Sequence, residues 1–269
     1  MADFFDTHAH LDYPDYTPDL PEVVARALAA GISKIISIGT SLESSERAVR
    51  LAERFPGVYA AVGWHPTEAL SAPDDLRPAL RKLAEHPKVV AIGETGLDYH
   101  RLPSERSEFT AADDARYKEK QAEIFRQQME VAAEFGLNCV IHQRKAWDDT
   151  IAQMKSFVGK TRGVFHCFGE TVERMQKVFE IGSLVSFTGI VTFKNAQNVR
   201  DAVAAAPLGQ FMLETDCPYL APVPYRGKRG EPAYVKEISE TVAQVKNCSL
   251  EELSVATCKT ATEFFTKLA

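Results

Sequence analysis

The most constraining feature of this sequence is a rhythm. Short, near-continuously apolar runs rich in Val, Ile and Phe alternate with longer segments of helical period. The runs lie at 3–8, 34–39, 58–63, 88–93, 138–142, 162–166, 183–187 and 209–214. Strands that are apolar throughout, rather than at every second residue, belong in parallel sheets covered on both faces. The intervening segments carry helix punctuation. The first has Asp19 as N-cap, Pro21 in the first turn, Glu22 at the capping-box spacing and Gly31 as the stop. Its apolar positions Leu20, Val23, Val24, Ala27 and Leu28 form the stripe of a helix packed on a sheet. Eight strands, each followed by a helix, predict an α/β fold of the (β/α)₈ TIM-barrel type. The chain has 269 residues, and one such barrel typically needs ~250. The widest interval, between the fourth and fifth strands, holds a polar stretch at 100–118 that reads as an insertion in the fourth βα loop. Nothing resembles a linker or a repeat, so a single domain is expected over 1–269.

In a closed barrel every strand end opens on one face, which is where active sites of this fold lie. That makes the residues at strand ends informative. His8-Ala9-His10 closes the first strand, His65 follows the third and Glu94 ends the fourth. His142 and His166 end the fifth and sixth, and Asp216 follows the eighth. An open doubly wound sheet would spread these residues along a row; a barrel gathers them. In the His-x-His pair, residues i and i+2 of a strand share a face, so both imidazoles can reach one cation. Glu94, in Gly93-Glu94-Thr95-Gly96-Leu97-Asp98, is a strand-end carboxylate in need of a partner. It can bridge two cations ~3.5–4 Å apart, or pair with an arginine. Asp98 suits a loop-fixing or supporting role. Glu214 shares a strand face with Asp216 and can support it. Cys167 and Cys217 adjoin proposed ligands, but strand alternation turns them away, so they read as structural.

The other histidines separate by position. His65 is a candidate substrate contact, His86 belongs on the opposite face, and His100 opens the insertion without an assigned role. Arg144, Arg226, Lys228 and Arg229 follow the fifth and eighth strands and are candidates to hold phosphate oxygens. The formal net charge of −6 argues against a protein gripping long nucleic acid over a broad basic face. It leaves room for a small anionic site whose positive charge comes from cations. Five cysteines without C-x-x-C spacing fit free thiols in a reducing compartment. With no secretory signal and no apolar stretch near the ~20 residues of a membrane span, a soluble cytoplasmic protein is expected.

Together these segments resemble the TatD family of metal-dependent deoxyribonucleases, within the amidohydrolase-like barrels. The resemblance rests on Asp6-Thr7-His8-Ala9-His10-Leu11, on Gly93 to Tyr99, and on Val140-Ile141-His142. It continues through Val164-Phe165-His166-Cys167-Phe168, Leu213 to Pro222 and Arg226-Gly227-Lys228-Arg229. It implies a metal-activated phosphodiesterase acting on DNA ends or small nucleotidic esters, with two divalent cations (Mg, Mn, Zn or Fe). One would be held by His8, His10, Glu94 and Asp216, the other by Glu94, His142 and His166. Asp216 would orient or deprotonate the water, while His65, Arg144, Arg226 and Arg229 position the phosphate. Neither a membrane nor an obligate protein partner is implied. Amide or ester hydrolysis, such as removal of D-amino acids from tRNA, is the alternative within the same resemblance. Four positions depart from the family pattern: Glu170, His100, Gly230 and Cys217 stand where a small residue, an arginine, an asparagine and a serine are common. These departures bear on substrate choice and spare the proposed ligands.

Overall fold

The computed structural model describes residues 2–105 and 107–268. Its strands are β1 (Phe4–Ala9), β2 (Ile32–Ile38), β3 (Val58–Val62), β4 (Val89–Asp98), β5 (Asn138–Arg144), β6 (Gly163–Phe165), β7 (Leu184–Phe187) and β8 (Phe211–Leu213). They pair in parallel, in sequence order. The helices that follow them in turn are α1 (Leu20–Ala29), α2 (Leu42–Arg54), α3 (Arg77–Ala84), α4 (Ala111–Phe135), α5 (Trp147–Lys155), α6 (Val172–Glu180), α7 (Gln197–Ala205) and α8 (Val235–Lys246). This is the (β/α)₈ barrel that the alternation of apolar runs and helices predicts.

The seam between β8 and β1 is joined largely just past the end of β8. Ala9 and Cys217 form a parallel bridge, Asp216 N–H donates to His8 O at 2.9 Å and His10 N–H to Cys217 O at 2.8 Å. Side chains complete it. Thr7 Oγ1 donates to Leu213 O at 3.1 Å, and Thr215 donates its N–H and hydroxyl to the Asp6 carboxylate at 2.9 and 2.6 Å. Burial pushes the Asp6 carboxyl up to about 8 against the pull of these donors.

Two apolar layers follow from the two faces of the strands. The outer one packs the helices on the barrel. The inner one includes Ile36, Ile38, Val90, Val140, Val164, Leu184 and Met212, joined by Phe264, Phe265 and Leu268 from the end of the chain. The strand period of two then decides what reaches the mouth. Two residues beyond Val140, Val164 and Met212 come His142, His166 and Glu214, so the faces that fill the barrel also supply its polar rim.

The structure departs from the sequence expectations in several places. The strands β4 and β5 run on to Asp98 and Arg144, so Glu94 and His142 lie within strands and not at their ends. Of the stretch 100–118, residues 111–118 are the first turns of α4, which runs for 25 residues; residue 106 lies outside the described residues. The irregular segment ends at Thr110, whose N–H donates to Asp113 Oδ2 at 2.8 Å, a capping-box contact hidden in a polar run. Asp19 stands at the N-cap of α1, but its side chain makes no cap bond and turns instead to Arg26 and Arg229. Finally, β8 is followed by a second helix, α9 (Leu250–Phe264), whose end floors the barrel: Phe264 O accepts from Asn138 Nδ2 at 2.6 Å.

Candidate metal centre

Glu94 is buried at the mouth, and its two oxygens face different groups of donors. Oε2 lies 3.4 Å from His8 Nε2 and 3.8 Å from His10 Nε2. Those nitrogens are 3.3 Å apart, and they stand 3.6 and 3.4 Å from Asp216 Oδ1. Oε1 lies 2.8 Å from His142 Nδ1, 2.8 Å from His166 Nε2 and 3.4 Å from His65 Nε2. His142 Nδ1 is in turn 3.3 Å from both His65 Nε2 and His166 Nε2. The six residues expected to hold metal, His8, His10, Glu94, His142, His166 and Asp216, are therefore gathered at one point. His65, expected to touch substrate, turns its Nε2 into the second group.

These donors fit divalent cations. Ligand atoms ~2.0–2.2 Å from a common ion in tetrahedral array stand roughly 3.3–3.6 Å apart. The spacings about the two Glu94 oxygens, 2.8 to 3.8 Å, bracket that edge. Among the described residues, His8-His10-Asp216, His8-Glu94-His166 and His65-Glu94-His142 each bring three donor atoms within 4.8 Å of one another. Protons alone satisfy the site poorly. His8 and His10 face each other nitrogen to nitrogen, where at most one proton fits, and the buried Nδ1 atoms of His8, His10 and His166 have no hydrogen-bond partner. Electrostatics divides the imidazoles. Burial lowers the pKa of His8 and His65. Against burial, Asp216 raises His10, Asp98 and Glu94 raise His142, and Glu94 and Glu214 hold His166 well above the usual histidine value. Burial also raises Glu94, but the His166 and His65 charges and hydrogen bonds from His142 and His166 outweigh it, leaving it well below the carboxylate range.

A second layer of side chains orients the first, as around many metal sites. Asp98 Oδ2 lies 2.9 Å from His142 Nε2, and Asp98 Oδ1 accepts from His100 N–H at 2.8 Å. Glu214 Oε1 is 3.6 Å from His166 Nδ1, while its carboxylate accepts from Cys167 N–H and Ser186 Oγ, both at 2.6 Å. Two buried glutamines on α4 were missed in the sequence. Gln121 holds both backbone atoms of Asp98, accepting from its N–H at 2.8 Å and donating to its carbonyl at 2.9 Å. Gln128 does the same for Trp64, at 2.7 and 3.0 Å, and donates to Thr95 Oγ1 at 2.6 Å. Their signal was spacing: two uncharged amides seven residues apart fall on the same buried face of a helix. Gly96 allows close packing here, since it holds φ +140° and an added Cβ would lie 2.0 Å from His142 O.

A cavity of about 350 Å³ opens above the cluster, lined by Tyr13, Thr40, Thr67, Glu68, Arg144 and Tyr219 besides the donors. Arg144 is thus beside the centre. Arg226 and Arg229, also expected at the substrate, are not among its lining residues. The Arg226 guanidinium lies 3.6 Å from the centre of the Phe193 ring. Arg229 holds Asp19 with two bonds of 2.7 and 2.8 Å and Glu231 at 3.0 Å, because the segment after β8 folds back onto α1. Lys228 is likewise outside the cavity lining. His86 pairs with Glu53 at 3.4 Å, away from the cavity. Burial pushes both the Cys167 and Cys217 thiols up, which keeps them protonated.

The TatD related DNase profile matches residues 5–266 of this chain. The chain belongs to the TatD-related DNase family. It is 38% identical over 262 residues to the metal-dependent hydrolase YabD of Bacillus subtilis, covering 97% of this chain and 98% of that protein. It is 34% identical over 245 residues to the 3'-5' ssDNA/RNA exonuclease TatD of Klebsiella pneumoniae, covering 89% of each. The crystal structure of the TatD homologue YjjV from Escherichia coli superposes with a TM-score of 0.87 at 27% identity, covering 98% of each chain. Membership of the TatD family makes this protein a metal-dependent hydrolase with a TIM-barrel fold. No described helix is long and apolar enough to cross a membrane.

Proposed function

We propose that this protein is a phosphodiesterase that hydrolyses DNA ends or small phosphodiesters at a centre of two divalent cations. The observation that carries the reading is the division of labour at Glu94, with Oε2 toward His8 and His10 and Oε1 toward His142, His166 and His65. In this reading His8, His10 and Asp216 hold one cation, His142 and His166 with His65 hold the other, and Glu94 is shared. When bound, such a pair acidifies water and polarises a phosphoryl oxygen. Asp216, at the cavity wall, accepts the proton of the attacking water. Arg144 neutralises a phosphoryl oxygen. Asp98 and Glu214 hold the His142 and His166 rings in place through the reaction. The name of the Klebsiella relative supports nucleic acid as substrate.

The test is a substrate panel. Protein reconstituted separately with Zn, Mn or Mg is incubated with single-stranded DNA, double-stranded DNA, RNA and aminoacyl esters. Release of nucleotides from DNA is expected. Turnover of aminoacyl esters with none of any phosphodiester would move the reading to carbonyl chemistry.

A further inference from the structure

Three aromatic rings run outward from the centre. His10, whose Nε2 faces Glu94, carries the Tyr13 ring stacked on it, with centroids 4.8 Å apart and planes at 23°. Tyr219 meets both edge-on, 6.2 Å from Tyr13 at 81° and 6.4 Å from His10 at 70°. Both tyrosines line the cavity that Arg144 also lines. Tyr219 is 54% exposed, so its ring is open to solvent at the cavity.

Its backbone, by contrast, is held firmly. Tyr219 N–H donates to Asp216 O at 3.0 Å, and Gly230 N–H donates to Pro218 O at 2.8 Å. Gly230 packs so closely that an added Cβ would lie 2.7 Å from Tyr219 O. Gly230 O accepts from Tyr16 Oη, a buried ring in the segment between β1 and α1, and its neighbour Arg229 is bound to Asp19. An exposed ring on a fixed backbone costs little to order when a ligand arrives.

We infer that Tyr219, backed by Tyr13, is a stacking platform for the base of the terminal nucleotide whose phosphate lies at the centre. This rests on the phosphodiesterase reading and names what that site recognises. Stacking suits a sequence-tolerant enzyme, because every base presents a π face. It also explains how an acidic chain engages a polyanion without a basic track. Affinity comes from a ring and a centre of bound charge instead of many phosphate contacts.

The test uses the metal-loaded full chain and two oligonucleotides that differ only in whether the nucleotide at the hydrolysed end carries a base or is abasic. Stacking on one aromatic ring predicts that the wild type prefers the base-bearing substrate in kcat/KM by about 5- to 150-fold. Tyr219→Ala should bring that ratio to about 1, and Tyr219→Phe, which keeps the ring and loses the hydroxyl, should retain it. Equal rates on both substrates with the wild type, or an unchanged ratio in Tyr219→Ala, overturns the platform while leaving the phosphodiesterase reading intact. A lost ratio in Tyr219→Phe assigns the effect to the hydroxyl and also overturns it. If the wild type hydrolyses neither oligonucleotide, the phosphodiesterase reading fails and takes the platform with it.

Discussion

Asp216 has φ +56°, a left-handed backbone that asparagine and aspartate adopt more readily than other residues with a side chain. Asp216→Asn therefore leaves the backbone undisturbed and still offers one oxygen to a cation, but it cannot accept a proton. Metal occupancy should stay near wild type while turnover falls ~10²–10⁴-fold, the usual worth of general-base help. Near-normal turnover at full occupancy would reduce Asp216 to a ligand. At Glu94 the prediction concerns stoichiometry. Metal analysis after dialysis should find about two divalent cations per chain, and Glu94→Gln should lower occupancy of both. A chain that never holds more than one cation, even in excess metal, would remove the shared role of Glu94. The grouping of the six proposed ligands at the mouth could be read from position alone, because each lies in a strand or within three residues of a strand end. The orientation of His65 could not. It lies three residues beyond β3, past Gly63 and Trp64, where strand alternation no longer applies. The Trp64 backbone just before it is held by Gln128, far along the chain.

At the scale of elements, the segment from β8 to α8 illustrates how a basic residue can mislead. Arg229 follows a strand end and so invited a phosphate-binding role, yet it clamps its own segment to α1. Its hydrogen bonds, with those of Arg26, hold the Asp19 carboxyl down to about 2. Because that pKa is depressed, the clamp is fully formed above the ordinary carboxylate range and weakens as pH falls toward 2. Arg144 and Arg229 should consequently respond differently to salt. If Arg144 meets a phosphate, Arg144→Ala should reduce the slope of log affinity against log salt by about 1. Arg229→Ala should leave that slope unchanged and lower the apparent affinity through a loosened Tyr219. A reduced slope in Arg229→Ala would return it to the substrate. α4 shows the opposite limit of sequence reading. Its first turns carry Asp, Arg, Lys and Glu nearly all round, so no apolar stripe announces them, and the buried Gln121 face looks polar.

The whole barrel was legible because a parallel sheet covered on both faces leaves so plain an apolar signature. Its floor was not, since α9 follows α8 directly and the pattern offers no strand between them. Phe264 is fully buried there, against the inner layer of the barrel. Phe264→Ala should destabilise the protein by about 3–5 kcal/mol, measured by urea unfolding. A loss below about 1 kcal/mol, less than typical for a buried aromatic, would mean that the floor is not structural. The seam and the floor share a further property, set by the direction of protein synthesis. The seam joins Thr7 to Leu213 and Asp6 to Thr215, while the floor comes from α9, later still. Nascent domains fold as their residues emerge, at ~5–20 residues per second. Here the earliest strand waits for the latest one, with an unpaired edge exposed to association in the meantime. The five imidazoles at the mouth are made well before Asp216, so a polypeptide still being translated carries them without the carboxylate that completes the ring.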